Sequence, residues 1–303
     1  MLYFIVNESG GSGKARKTWL KVRKVMESRG LEYKALMTTP EITAAELAGN
    51  VTSPDGEIDL AVVGGDGTIN EVLNGIGSFE KVSLGIIPTG SGNDFARGLG
   101  IPKNTAKAVD FMLKSPGRKI DIGRVTFDGG KKRLFAISSG MGMDAVVCRK
   151  ALSSRLKDFL NKVGLGKFIY IIYTVQTLFS MKTEQFKISF DGKEEIFPDL
   201  IFVAAMNCAA EGGGVPMCPD ALPDDGRLSV CIAAGIKKIK AFMDLPVLVL
   251  GRHKKLKGFT LKSCRTMEIE CMNPQTLHCD GEYCGETGKV LVEILPEKLN
   301  VKA

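Results

Sequence analysis

The chain has 303 residues, 44% of them hydrophobic and 25% charged, the profile of an ordinary soluble globular protein with one or two buried cores. Its net charge of +7 at pH 7 falls short of the extreme basicity of nucleic-acid packaging proteins. A moderate positive balance fits phosphorylated cofactors or an anionic membrane surface, or serves solubility alone.

The N-terminus begins directly with a strand-like apolar run over 2–6, without the charged and apolar regions of a signal peptide. Helix follows over 15–28, a strand over 33–37 and a helix over 42–49. The next predicted pairs are strand 59–63 with helix 69–76, and strand 83–87 with helix 105–113. This βαβα rhythm implies a parallel sheet covered on both faces, with ligands at the carboxyl ends of its strands. Glycine loops follow Val6, Val63 and Ile87, all at such ends.

Beyond about residue 120 the pattern changes. Period-two alternation appears over 266–271 and 289–294, and further strand-like runs cover 120–127, 133–138, 185–190, 199–205 and 227–232. Many short strands with glycine turns predict an antiparallel sandwich. Helical insertions are expected over 145–161, 168–180 and 237–250. The fold class is therefore a Rossmann-like α/β domain over 1–120 followed by an antiparallel β-sandwich over 121–303. The boundary lies near Ser115, Pro116 and Gly117. The 168–179 run is too short to span a bilayer and reads as a buried or interfacial helix.

Eight scattered cysteines contain no C-x-x-C pair and suit a reduced, cytosolic chain. Cys271, Cys279 and Cys284 are irregularly spaced for zinc. His253 and His278 stand apart and support neither a Ser-His-Asp nor a two-His metal site.

Four stretches carry chemistry. Residues 7–14 (NESGGSGK) imitate a P-loop, but Glu8 stands where the first glycine belongs and Ala15 replaces the Mg²⁺-binding Ser/Thr. This loop binds phosphate through its amides, with Lys14 as a point charge, or is a plain turn. In Gly64-Gly65-Asp66-Gly67-Thr68 a carboxylate sits between glycines, with Asn70 two residues on. Asp66 reaches Mg²⁺ or its water while Thr68 and Asn70 bond phosphate or ribose; the other reading is an Asx-turn with a helix cap. The late acidic turns are 220–227 (DALPDDGR) and 279–282 (CDGE). The first suits a hard cation or is a solvated turn. The second places a proton acceptor at a substrate hydroxyl or is a simple Asp-Gly hairpin turn.

Together, Asn7 with its glycines, 64–71, 88–97, Asp121-Ile122-Gly123, 219–226 and 280–282 resemble the bacterial diacylglycerol kinase family, lipid kinases that share a catalytic domain with sphingosine kinases. The resemblance implies an ATP-binding α/β domain and a β-sandwich lipid domain, with ATP in the cleft between them and the last strand packing back on the first domain. It implies ATP contacts at Asn7, Gly10, Gly11, Lys14, Thr38, Gly64, Gly65, Asp66, Gly67, Thr68, Asn70 and Ser91. Ser91 stands where the family usually has Thr. Glu282 would accept the proton of the lipid hydroxyl with Asp280 nearby, and Asp66 and Asp121 would organise the Mg²⁺–ATP network. The carbonyls of Leu222 and Arg227 and the Asp225 carboxylate would hold a structural Mg²⁺; the family often carries lysine at the Leu222 position.

The implied partners are ATP, a membrane lipid such as diacylglycerol and an anionic membrane surface, with no nucleic acid. The implied location is the cytoplasm, peripheral to the inner membrane face, and a homodimer is compatible with such kinases. Lys237, Lys238, Lys240, Arg252, Lys254, Lys255 and Lys257 flank the apolar run 241–250, a pattern that rests on an anionic bilayer or is a core helix with solvated ends. The rival readings are a soluble-substrate kinase of the NAD-kinase kind and a non-catalytic lipid-binding protein on the same fold. Intact Asp66, Asp121, Asp280 and Glu282 speak against the latter.

Overall fold

Short apolar runs without polar alternation suit strands buried on both faces. The computed structural model describes residues 1–53, 56–152 and 168–303. Here β1 (Leu2–Val6), β2 (Tyr33–Met37), β3 (Ile58–Gly64) and β4 (Val82–Pro88) lie in the order β4-β3-β1-β2, every neighbouring pair parallel. Asn300 and Val301 add a parallel pairing to the outer edge of β4.

The connecting helices are α1 (Lys14–Ser28), α2 (Ala44–Thr52), α3 (Asp66–Gly75), α4 (Asp94–Gly98) and α5 (Thr105–Lys114). Ala15, Trp19, Val22 and Met26 recur at helical spacing on α1 and are buried. The Trp19 ring packs on Phe4 and Tyr33 at 5.4 and 5.8 Å. Thr43 and Glu46 form a reciprocal capping box, which is why α2 starts at Ala44 rather than at residue 42. α3 starts three residues before the predicted position and takes in Gly67 and Thr68. Met1–Ile122 with Pro296–Ala303 form one compact unit, and Gly123–Leu295 form the other.

β5 (Arg118–Phe127) carries the chain into the second unit and β14 (Glu282–Val301) carries it out. Between them come β6 (Lys131–Phe135), β7 (Ser138–Gly142), β8 (Glu184–Phe190), β9 (Lys193–Leu200), β10 (Phe202–Met206), β11 (Leu228–Ala233), β12 (Phe259–Cys264) and β13 (Thr266–Cys279). The pairs β5–β6, β7–β10, β7–β13, β8–β9, β8–β13, β10–β11, β11–β12 and β13–β14 are antiparallel. β13 breaks register between Glu270 and Gln275. Its first half pairs with β8 and its second half with β7, so one bent strand serves both layers of the sandwich. Phe135, Phe186, Ile188, Val230, Met267 and Val292 fill the core. A second cluster lies under α6 (Met143–Leu152), α7 (Phe168–Ser180) and α8 (Lys238–Val249), with Leu178, Met206, Ala241 and Leu248 buried in it.

The predicted strand 133–138 is two strands, β6 and β7, parted at Ala136 and Ile137. The predicted strand 199–205 joins the end of β9 to β10. Of the predicted helix 145–161, residues 153–161 lie outside the described residues. Among the described residues no helix is long and apolar enough to cross a membrane.

Candidate active site

The loops after β1, β3 and β4 meet at the carboxyl edge of the parallel sheet. The Asn7 amide donates to the Val63 carbonyl at 3.1 Å, and the Thr89 amide to the Gly64 carbonyl at 2.9 Å. Asn7 Nδ2 donates to Thr68 Oγ1 at 3.1 Å, while Asn7 Oδ1 accepts from the Gly10 amide at 3.1 Å. A Cβ on Gly65 would stand 3.1 Å from the Gly90 Cα, and one on Gly90 2.9 Å from the Gly65 Cα. These two loops touch backbone to backbone, an approach that only glycine permits. Gly11, at φ +60°, lies against the Thr89 carbonyl in the same way.

Asp66 ties the second loop to the third. Its Oδ2 accepts from the Asp94 amide at 3.0 Å and its Oδ1 from the Phe95 amide at 3.2 Å, so it caps α4 from 28 residues away. Asn93 adopts a left-handed conformation and exchanges two hydrogen bonds with Gly90, at 2.8 and 2.7 Å, which fixes the 90–93 loop. Ser91 is exposed on that loop, and Lys14 is exposed at the start of α1. The Thr38 amide donates to the Val6 carbonyl at 3.0 Å, which sets the end of β2 beside the end of β1. The first turn of α3 presents the positive end of a helix dipole beneath the half-exposed Gly65, Asp66 and Gly67. Thr68 and Asn70 are buried one turn deeper, and Asn70 bonds Asn74 within α3. The Thr89 hydroxyl, which sequence reasoning passed over, is buried without a hydrogen-bond partner among the described residues. Asp121 is fully buried with the Lys298 ammonium 2.7 Å from its carboxylate.

In the second unit, Asp280 and Gly281 have φ of 52° and 83° and form the two-residue turn between β13 and β14, where Cys279 pairs with Glu282. The Asp280 carboxylate accepts from the amides of Ala136, Ile137 and Ser138 at 2.9, 2.7 and 3.0 Å. The carboxylate that neighbours Glu282 is thus an anchor for the chain between β6 and β7. Glu282 itself is half-buried at the first position of β14.

In the 220–227 loop, Asp225 Oδ1 accepts from the Arg227 amide at 3.0 Å. The Arg227 guanidinium turns away to Ser263 Oγ and the Ser263 carbonyl, at 2.7 and 3.0 Å. Leu222 and Asp225 are exposed, and backbone carbonyl and carboxylate oxygens are hard donors of the kind Mg²⁺ takes.

Among the described residues, one group of metal-capable side chains escaped the sequence reading: Asp144, Glu211 and His278 place ligand atoms within 4.8 Å of one another. His278 Nε2 lies 3.3 Å from Asp144 Oδ2, and the Gly281 amide reaches Nδ1 of the neutral ring at 3.2 Å. Burial pulls the His278 pKa down, but Asp144 outweighs it and the pKa is raised to about 9. With the Gly281 amide on Nδ1, the hydrogen of the neutral ring sits on Nε2, the nitrogen turned to Asp144. The pair abuts the Asp280–Gly281 turn. Gly140 makes room for it, since a Cβ there would sit 2.0 Å from Asp144 Oδ2.

Residues 1–125 match the diacylglycerol kinase catalytic domain, and residues 137–303 match the YegS C-terminal NAD kinase beta sandwich-like domain. Over 280 residues the chain is 28% identical to a diacylglycerol kinase of Mycobacterium tuberculosis, covering 92% of this chain and 87% of that one. Its fold is similar to a crystal structure of a diacylglycerol kinase from Bacillus anthracis str. Sterne, with a TM-score of 0.70 and 22% identity over 99% of this chain and 95% of that one. It is more distantly similar to an NAD kinase from Archaeoglobus fulgidus in complex with ATP, with a TM-score of 0.55 and 13% identity over 100% of this chain and 94% of that one. With the catalytic-domain model matched at one end and the sandwich model over the rest, the chain belongs to the diacylglycerol kinase family and is a phosphotransferase.

Proposed function

We propose that this kinase transfers the γ-phosphate of ATP to the hydroxyl of a membrane lipid, diacylglycerol, giving phosphatidic acid. The observation that carries the reading is the meeting of three glycine loops at one sheet edge, with Gly65 and Gly90 in backbone contact. Amides of the Asn7–Gly11 and Gly64–Thr68 loops and of the α3 N-terminus bind the phosphates, with Lys14 as a point charge and Thr38 and Ser91 beside them. Glu282 takes the lipid hydroxyl proton as its oxygen attacks phosphorus in line, and Asp280 holds the turn that carries Glu282. Asp66 and Asp121 would organise the Mg²⁺–ATP network from positions already tied into the fold, Asp66 to the Asp94 and Phe95 amides and Asp121 to Lys298. When bound, Mg²⁺ would neutralise charge developing on the phosphates. A structural Mg²⁺ would be held by the Leu222 and Arg227 carbonyls with Asp225. The working location is the cytoplasm, at the inner membrane face, and a homodimer is compatible with it.

The test is transfer of labelled phosphate from ATP to a panel of vesicle-borne alcohols, with diacylglycerol expected to be the acceptor. Glu282→Gln should lower kcat by about 10²–10⁴ with ATP affinity within about twofold. Retained turnover removes Glu282 from its role. Transfer to a soluble acceptor at a rate indifferent to vesicles would favour the soluble-substrate reading instead.

A further inference from the structure

The outer face of α8 runs against the ordinary pattern. A surface helix puts apolar residues toward the core and charge toward water. On α8 the core side is Ala241, Asp244 and Leu248. The solvent side is Ile239, Phe242, Met243, Pro246, Val249 and, at the C-cap, Leu250, all exposed; Met243 is 70% accessible and Leu250 66%. At 3.6 residues per turn these six fall within about a third of the helix circumference, opposite the buried side. No charged side chain interrupts the arc, and the one carboxylate of the helix, Asp244, faces inward and pairs with Lys240 at 2.7 Å.

The stripe continues onto α7. Its Ile171, Ile172 and Phe179 are exposed, and the Phe179 ring meets the Phe242 ring at 5.8 Å. Lys238 Nζ donates to the carbonyls of Phe179, at 3.4 Å, and of Met181, locking the start of α8 to the end of α7. The apolar face of α8 therefore extends through Phe179 onto the end of α7. Lys182, Lys237, Arg252, Lys255 and Lys257 are exposed in the segments that flank these helices. Contiguous apolar patches with polar rims mark interaction surfaces.

We propose that the outer face of α7 and α8 is the surface by which the enzyme seats on an anionic lipid bilayer, its apolar stripe entering the acyl boundary and its flanking cations meeting lipid phosphates. The inference deepens the lipid-kinase reading and rests on it for the purpose of the contact. Charge selects the occupant. Apolar residues bounded by cations match an anionic interface. A second copy docked on the same face would bring a second set of cations against the first.

The experiment is co-sedimentation of the full chain, without ATP, with vesicles of phosphatidylcholine alone and of phosphatidylcholine with phosphatidylglycerol. We expect partition into the anionic vesicles only, weakened by high salt. Met243→Ser with Leu250→Ser should lower that partition by about tenfold, and Lys255→Glu with Lys257→Glu by a similar factor, both with unchanged melting temperature. Unchanged partition in the Met243/Leu250 variant overturns the proposal. So does a dimer in analytical ultracentrifugation that the same substitutions dissolve. Turnover on a short-chain, monomerically dispersed diacylglycerol separates the two readings. Vesicle binding without transfer fails the function and spares this surface; transfer with vesicle binding indifferent to the substitutions fails this surface and spares the function.

Discussion

Thr89 holds a hydroxyl sealed from solvent among the glycine loops, with no hydrogen-bond partner among the described residues. A buried polar atom in that state costs about 1–3 kcal/mol, and valine keeps the shape without it. Thr89→Val should therefore raise stability by about 1 kcal/mol in urea unfolding and leave ATP affinity within about twofold. A loss of stability would reveal a partner, and a large loss of ATP affinity would make the hydroxyl a nucleotide contact. Asp144 works the other way, by charge. It raises His278 to about 9, above the ordinary value near 6.5. A base raised by folding adds stability that is full below about pH 6.5 and lost as pH climbs through 9. Asp144→Asn leaves burial in command, so the His278 pKa should fall below 6.5 and the loss of stability between pH 6.5 and 9 should disappear. Nitrogen-15 NMR titration of the ring, with urea melts at pH 6 and 9, checks both. A ring still titrating near 9 would assign the shift to Glu211.

Among the elements, the junction of β6 and β7 depends most on distant chain. The amides of Ala136, Ile137 and Ser138 all go to Asp280, more than 140 residues away in sequence. Asp280→Ala strands three buried donors and puts alanine at φ 52°, so it should cost at least about 3 kcal/mol in the urea midpoint. Asp280→Asn tolerates the left-handed backbone and keeps an acceptor, so its cost should be clearly smaller. A cost under about 1 kcal/mol for the alanine variant would mean that water satisfies the amides. The same bonds explain why 133–138 reads as one strand: its residues are strand-like throughout, and the break is imposed by the neighbouring β13–β14 turn. β1, β3 and β4 were legible because their burial is continuous. β9 was missed over most of its length because its exposed Lys193-Glu194-Glu195 carry no apolar alternation, and it forms by pairing with β8. α4 has only five residues, and its cap is Asp66, which no local pattern announces.

At the scale of the whole chain, the glycine loops of the candidate site were legible because backbone approach demands glycine and glycine is visible in sequence. The Asp144–Glu211–His278 group was not, since three unremarkable residues 67 or more positions apart become neighbours only through strand pairing. The return of the C-terminus to the first unit was likewise invisible to local pattern, yet several bonds hold it there. Ser115 Oγ donates to the Ala303 carbonyl at 2.9 Å, the Lys302 amide to the Leu84 carbonyl at 2.8 Å, and Asn300 Nδ2 to Ser83 Oγ at 2.8 Å. Lys298 brings its ammonium to the buried Asp121. Removing one partner of a buried pair costs about 3–5 kcal/mol, but a third of the Lys298 side chain is exposed and water screens part of that. Lys298→Met should therefore destabilise by about 2 kcal/mol. Adding Asp121→Asn removes the stranded charge, so the double variant should recover most of the loss in urea unfolding. Its turnover then separates two roles for Asp121. Recovery of stability together with activity would confine Asp121 to pinning the C-terminal segment. Recovered stability with lost activity would require the Asp121 charge itself in the Mg²⁺–ATP network, since the fold around it would be intact.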